Sequence, residues 1–278
     1  MQIIRASHLG MCFGVRDAIA LAAQHVEDAP LTILGDLVHN RDVIAALEAK
    51  GVATVHEPTE ATTHTVMITA HGASQRMLTR VRALGLNVVE ATCPLVRLAH
   101  EAVLTLQADG YHPVIIGLRD HVEVRGLTED LDQFDIVVNE DDVQTLGAHS
   151  RYGIAAQTTQ PIARVEYLVD LIRRRFPRAE VRFIDTVCLP TKQRQLAAVE
   201  LARQSDVVVV VGGVTSNNTR ELVRTCSGHG ARVHQVENSS ELRPEWFLNA
   251  RIVGITAGTS TPEHVIDSVE ARIRTVAG

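Results

Sequence analysis

The chain has 278 residues, is 45% hydrophobic and 22% charged, and carries a net charge of −6. That mild acidity excludes a general nucleic-acid-binding face, and five Phe, three Tyr and one Trp are too few to build stacking platforms for single strands. No apolar run reaches the roughly 18–20 residues of a membrane span, and MQIIRASHLG lacks the basic flank and apolar core of a signal peptide, so the expectation is a cytoplasmic protein.

In chain order, IIRAS reads as a strand leading to Cys12, and VRDAIALAAQHV as a helix. LTILG is a strand, DLVHN a polar loop, and RDVIAALEAKG a helix closed by Gly51. VMITA is a strand, HGAS a loop, QRMLTRVRALG a helix and LNVVEAT a strand delivering Cys93. Pro94 can open a helix but not sit inside one, so Cys93 falls at the joint between strand end and helix start. VRLAHEAVLTLQADG is then a helix, HPVIIGL a strand and RDHVEV a loop. YGIAAQ is a strand, TTQ a loop and PIARVEYLVDLIRRRF a helix burying Val165, Leu168, Val169 and Ile172 on one face, before VRFIDTV delivers Cys188. TKQRQLAAVELARQ is a helix and DVVVVVGG a strand buried on both faces of a parallel sheet. VTSNN is a loop, TRELVRTCSGHG a helix, RIVGITAG a strand, TST a loop and PEHVIDSVEARIRTV the last helix.

Length alone suggests about two domains. The cysteines suggest three similar units, because 81 residues separate Cys12 from Cys93, 95 separate Cys93 from Cys188, and 90 follow Cys188. The expected units are 13–92, 93–187, and 188–278 joined by 1–12. Alternating strands and helices imply α/β layers with mostly parallel sheets, whose ligands bind beyond the carboxyl ends of the strands. There each unit would carry two polar loops and one cysteine, so three thiolates would converge on a shared centre.

A helix N-terminus favours the thiolate that binds metal. Soft thiolates select zinc, copper(I) or iron–sulfur clusters, and three cysteines leave one metal position open. Cys226, with Leu222 and Val223 one turn earlier, reads as core filler. His39, His71 and His121 sit in strand-end loops and can donate to an anion. The loops at Gln157–Thr159, Thr215–Asn218 and Gly258–Pro262 make ordinary helix caps, and helix N-termini also bind phosphate through free backbone N–H groups. No GxxxxGK[ST] or GxGxxG pattern occurs. Glu123, in a dry pocket, would have a raised pKa and could hand over protons.

The motifs GMCFGV, LVHN, AHG, ATCPLV, HVEV, QTT, VCLPTKQRQ, SNNT and TAGTS occur in this order across essentially the whole chain. In this the sequence resembles the 4-hydroxy-3-methylbut-2-enyl diphosphate reductase (IspH/LytB) family, which closes the non-mevalonate isoprenoid route. The resemblance implies a trefoil of three α/β units around a [4Fe-4S] cluster held by Cys12, Cys93 and Cys188, whose fourth iron binds the substrate hydroxyl. It implies a diphosphate pocket of His39, His71, His121, Ser216, Asn218 and Ser260, with Asn217 where a second serine is usual. Glu123 and Thr158 would relay protons, and a ferredoxin or flavodoxin would supply two electrons, giving isopentenyl and dimethylallyl diphosphate. Met11, Val122, Asn217 and Pro190 depart from the family's usual Phe, Pro, Ser and Ala. They leave two alternative readings: a divergent paralogue acting on another allylic diphosphate, and a non-catalytic iron–sulfur sensor.

Overall fold

The structure is a computed structural model that describes residues 1–38 and 40–276. The chain opens with β1 (Gln2–Arg5) and α1 (Phe13–Asp28). There follow β2 (Thr32–Leu34), α2 (Arg41–Glu48), β3 (Ala53–Val55), β4 (Thr65–Ile68), α3 (Gln75–Ala83) and β5 (Asn87–Glu90). These strands form a parallel sheet in the order β3–β2–β4–β5.

The next stretch holds α4 (Pro94–Ala108), β6 (His112–Ile116), α5 (Val122–Thr128), β7 (Asp135–Val137), α6 (Glu140–Thr145), β8 (Arg151–Ala156), α7 (Ile162–Arg175) and β9 (Glu180–Phe183). The parallel order here is β7–β6–β8–β9. Period-two alternation splits β6 and β8 between two cores. Val114, Ile116, Tyr152 and Ile154 face α7, whose buried stripe is Val165, Leu168, Val169 and Ile172, as its spacing requires. Ile115 and Ala155 face Ala99, Val103 and Leu106 of α4 and Val124 and Leu127 of α5.

The last stretch contains α8 (Leu189–Gln204), β10 (Val207–Val211), α9 (Asn217–Ser227), β11 (Arg232–Val236), β12 (Ile252–Ala257) and α10 (Glu263–Val276). The N-terminal strand joins this sheet, in the parallel order β1–β12–β10–β11. All five valines of β10 are fully buried. Val207, Val209 and Val211 pack toward Val265, Ile266 and Val269 of α10. Val208 and Val210 pack toward Ala198 and Leu201 of α8 and Leu222 of α9. Each such valine contributes roughly 1.5–3 kcal/mol of burial, which explains an uninterrupted apolar run in a central strand.

Contacts divide the chain into two compact units. One is Met1–Arg16, Val38–Ala46 and Leu189–Gly278, with the sheet containing β10; the other is Asp17–Leu37 and Leu47–Cys188, with the two remaining sheets. Some local expectations differ from this structure. RDHVEV is not a loop throughout, because α5 begins at Val122 and places Glu123 in a helical first turn. Likewise α9 starts at Asn217, so both asparagines of VTSNN are helical. The strands β3, β7 and β11 and the helix α6 had no counterpart in the sequence reading. His39 lies outside the described residues. Among the described residues no helix is long and apolar enough to cross a membrane.

Candidate active site

Three cysteines stand at equivalent strand-to-helix joints. Cys93 is the N-cap of α4, with Pro94 as its first residue. Cys12 and Cys188 immediately precede α1 and α8. In each sheet the edge strand leading to the cysteine pairs with an inner strand: β1 with β12, β5 with β4, β9 with β8. Each cysteine N–H then donates to a carbonyl lying two residues beyond that inner strand. Cys12 donates to Thr259 (3.1 Å), Cys93 to Ala70 (3.0 Å) and Cys188 to Thr158 (3.0 Å). One backbone device thus fixes all three joints. All three side chains are half-buried, and none is in a disulfide. Cys226 differs: it is fully buried, its Sγ lies 3.8 Å from the Ala198 carbonyl, and burial pushes its thiol up to about 12, away from ligand chemistry.

In the unit of Cys93 and Cys188, the ends of β4, β6 and β8 carry the predicted polar residues. His121 caps α5, its Nδ1 accepting from the Glu123 N–H (3.2 Å). Without a proline at 122, this cap sets the helix start and hence the aim of Glu123. The Glu123 side chain is 1% exposed. Its Oε1 accepts from the Thr158 N–H (2.6 Å) and its Oε2 from the Thr158 hydroxyl (3.0 Å). Burial raises the Glu123 carboxyl to about 7, outweighing the two Thr158 bonds, which favour the charged form. A carboxyl so poised holds a proton near neutral pH and can release it. His71, one residue past the carbonyl that anchors Cys93, has its ring centroid 5.7 Å from that of His121, edge to face. The sequence-predicted His71, Cys93, His121, Glu123, Thr158 and Cys188 are therefore linked through short contacts and adjacent residues at one edge of this unit.

In the other unit, Cys12 shares its sheet edge with Ser216, Asn217, Asn218 and Ser260, all buried. Ser216 caps α9, its Oγ accepting from the Thr219 N–H (3.3 Å). The loop after β12 approaches that helix closely: a Cβ on Gly258 would collide with the Thr219 hydroxyl. Asn218 Oδ1 accepts from the Thr259 N–H (3.1 Å), while its buried Nδ2 has no hydrogen-bond partner. An unanswered buried amide donor is costly, and an anion at the α9 N-terminus would answer it.

Two supporting residues escaped the sequence reading as individuals. Gln157 Oε1 accepts from the Leu118 N–H (3.1 Å) and the Gln160 amide (3.0 Å), tying the end of β8 to the loop before His121. Arg194 is buried and donates to the Gly10 carbonyl through Nε (3.1 Å) and Nη2 (2.7 Å), clamping the turn before Cys12. Gly10 has φ +72°, a conformation that glycine adopts at little steric cost. Both lie inside motifs, QTT and VCLPTKQRQ, but a single sequence does not distinguish a buried polar residue from a solvated one.

A model of the LytB protein family matches residues 3–274. A 4-hydroxy-3-methylbut-2-enyl diphosphate reductase of Geobacter metallireducens is 37% identical over 279 residues, covering 99% of this chain and 98% of the relative. One of Geobacter sp. strain M21 is 39% identical over 280 residues, with 99% and 98% coverage. Among solved structures, the E-1-hydroxy-2-methyl-but-2-enyl-4-diphosphate reductase of Plasmodium falciparum superposes with a TM-score of 0.91 at 25% identity, over 97% of this chain and 87% of that one. A second, an (E)-4-hydroxy-3-methyl-but-2-enyl diphosphate reductase described as the terminal enzyme of the non-mevalonate pathway, gives 0.68 at 34% identity over 99% and 100%. With the family match spanning nearly every residue and relatives above a third identical end to end, the chain belongs to the LytB protein family.

Proposed function

We infer that this chain reductively removes the hydroxyl of 4-hydroxy-3-methylbut-2-enyl diphosphate, giving isopentenyl and dimethylallyl diphosphate as the last step of the non-mevalonate pathway. Its full-length relatives carry that activity in their names. The observation that carries the reading is the Glu123–Thr158 pair: a buried carboxyl, protonated near neutrality, bonded to a hydroxyl at the edge that also bears Cys93 and Cys188.

Cys12, Cys93 and Cys188 are assigned as the ligands of a [4Fe-4S] cluster. The donor set fits: three half-buried thiols at identically built helix starts, with the fourth cysteine sequestered in a core. Such a cluster would supply electrons singly and an open metal corner for the substrate hydroxyl. Two electrons and two protons convert the allylic alcohol to the alkene and water. Glu123 holds one of those protons: when protonated it would donate to the Thr158 hydroxyl, 3.0 Å away, as that hydroxyl gives its own proton to the substrate. His71, His121, Ser216, Asn217, Asn218 and Ser260, with His39, are assigned to the diphosphate, which the free Nδ2 of Asn218 supports. A ferredoxin or flavodoxin is the proposed electron donor, and the cytoplasm the proposed location.

Reconstitution with iron and sulfide without oxygen, followed by a low-potential reductant and the hydroxylated diphosphate, tests this reading. Release of both products is expected; cluster-loaded protein that releases neither overturns it.

A further inference from the structure

The edge of the β6–β9 sheet opposite Glu123 and Thr158 carries a second cluster of ligand-type side chains. His112 begins β6, Asp135 begins β7, and His149 lies just ahead of β8. One ligand atom from each lies within 4.8 Å of the other two. His112 Nε2 is 2.8 Å from Asp135 Oδ2. The two imidazoles stack, with centroids 3.8 Å apart and planes 6° from parallel. We propose that His112, Asp135 and His149 form a binding site for a zinc-class divalent transition metal, separate from the cysteines.

Donor chemistry narrows the occupant. Two imidazoles and one carboxylate are a common three-ligand zinc set that leaves a fourth position for water, whereas magnesium and calcium prefer oxygen throughout. Stacked imidazoles resist double protonation, which favours the neutral, metal-ready form. With metal–ligand bonds of about 2.0–2.2 Å, tetrahedral ligand atoms stand roughly 3.4 Å apart, so one imidazole must turn out of the stack to bring the three donors onto one ion. The support is already built. The Tyr152 hydroxyl accepts from the His149 N–H (3.0 Å) and donates to the Gly147 carbonyl, and its ring meets both imidazoles edge on. Bound metal would staple the starts of β6 and β7 to the loop entering β8. Strands of five and six residues, at about 3.3 Å each, put some 16–20 Å between this edge and the one bearing Thr158, so an ion here would not displace the cysteine-bound group.

The test uses cluster-loaded holoenzyme, chelator-treated and then titrated anaerobically with zinc by calorimetry, and with cobalt by absorption. Expected are one zinc per chain at about 1 µM affinity or tighter, a raised melting midpoint, and cobalt bands without sulfur-to-metal charge transfer. His149→Ala and Asp135→Asn should each weaken binding by more than about 100-fold, beyond the roughly 10–100-fold cost of losing a supporting group, with cluster absorption and turnover unchanged. Absence of saturable zinc binding, thiolate charge-transfer bands in the cobalt spectrum, or affinity within about threefold of the parent in both folded variants would overturn the site.

Discussion

The two ends of one sheet handle charge in opposite ways. Where β6 and β8 finish, Glu123, Gln157 and Thr158 are buried, and the Glu123 carboxyl is bonded to a threonine. Where β6, β8 and β9 begin, the charges lie in solvent and pair off: Arg151 with Glu180 (3.1 Å) and Arg182 with Asp109 (2.6 Å). Exposed pairs of the second kind add little to stability. A carboxyl buried without a cation among the described residues costs folding energy whenever it is ionised, and in return its pKa moves to where protons are exchanged. The same parallel strands therefore carry a buried, proton-exchanging end and an end whose arginine–carboxylate pairs lie in solvent.

Replacing the buried carboxyl gives the largest expected effect. Glu123→Gln keeps the shape and one of the two acceptors for Thr158 but cannot donate the proton, so turnover should fall by about 100-fold or more in a protein that still folds. Unchanged turnover would remove Glu123 from the proton path. The same variant isolates the folding cost. With the folded pKa raised to about 7 from an unfolded value near 4.5, the native state binds more protons than the unfolded chain between those pH values. Stability must then fall as pH rises through that window, by about 3 kcal/mol, and stay low above it. Denaturant titrations across the window should show this slope in the parent and its loss in Glu123→Gln.

Next in size is Asn218→Ala, which removes the unanswered Nδ2 donor. KM for the diphosphate should rise by about tenfold with little change in kcat, since the contact is made in ground and transition states alike. At the opposite end, Tyr152→Phe removes a hydroxyl that braces the 147–149 loop, away from Glu123. It should cost about 1 kcal/mol in denaturant titrations and leave turnover intact. A turnover defect there would erase the contrast between the two ends.

The features legible in the sequence were those with long-range periodicity or punctuation. The spacing of Cys12, Cys93 and Cys188, the proline after Cys93 and the valine run of β10 located the joints and a doubly covered strand. That the N-terminal strand completes the last sheet was legible because the last stretch lacked a strand; that it pairs with β12 was not. Short elements were not. β3 and β7 have three residues each, too few to show alternation. The seven-residue α5 hides its start behind a histidine cap, although Val124, Leu127 and Thr128 already fall on one helical face. The missed α6 had a readable signal, an Asn139–Asp142 capping box. For the site, residue types were legible but burial was not. Nothing in HVEV says that Glu123 is 1% exposed rather than solvated, and that burial sets its pKa.

The account stands on three equivalent cysteines and one that is different, and counting iron in anaerobically reconstituted serine variants tests this most directly. Cys226→Ser should keep about four irons per chain and the parent's visible absorption, while Cys12→Ser, Cys93→Ser and Cys188→Ser should each lose both. Full iron content in any of those three, or its loss only in Cys226→Ser, would contradict the assignment.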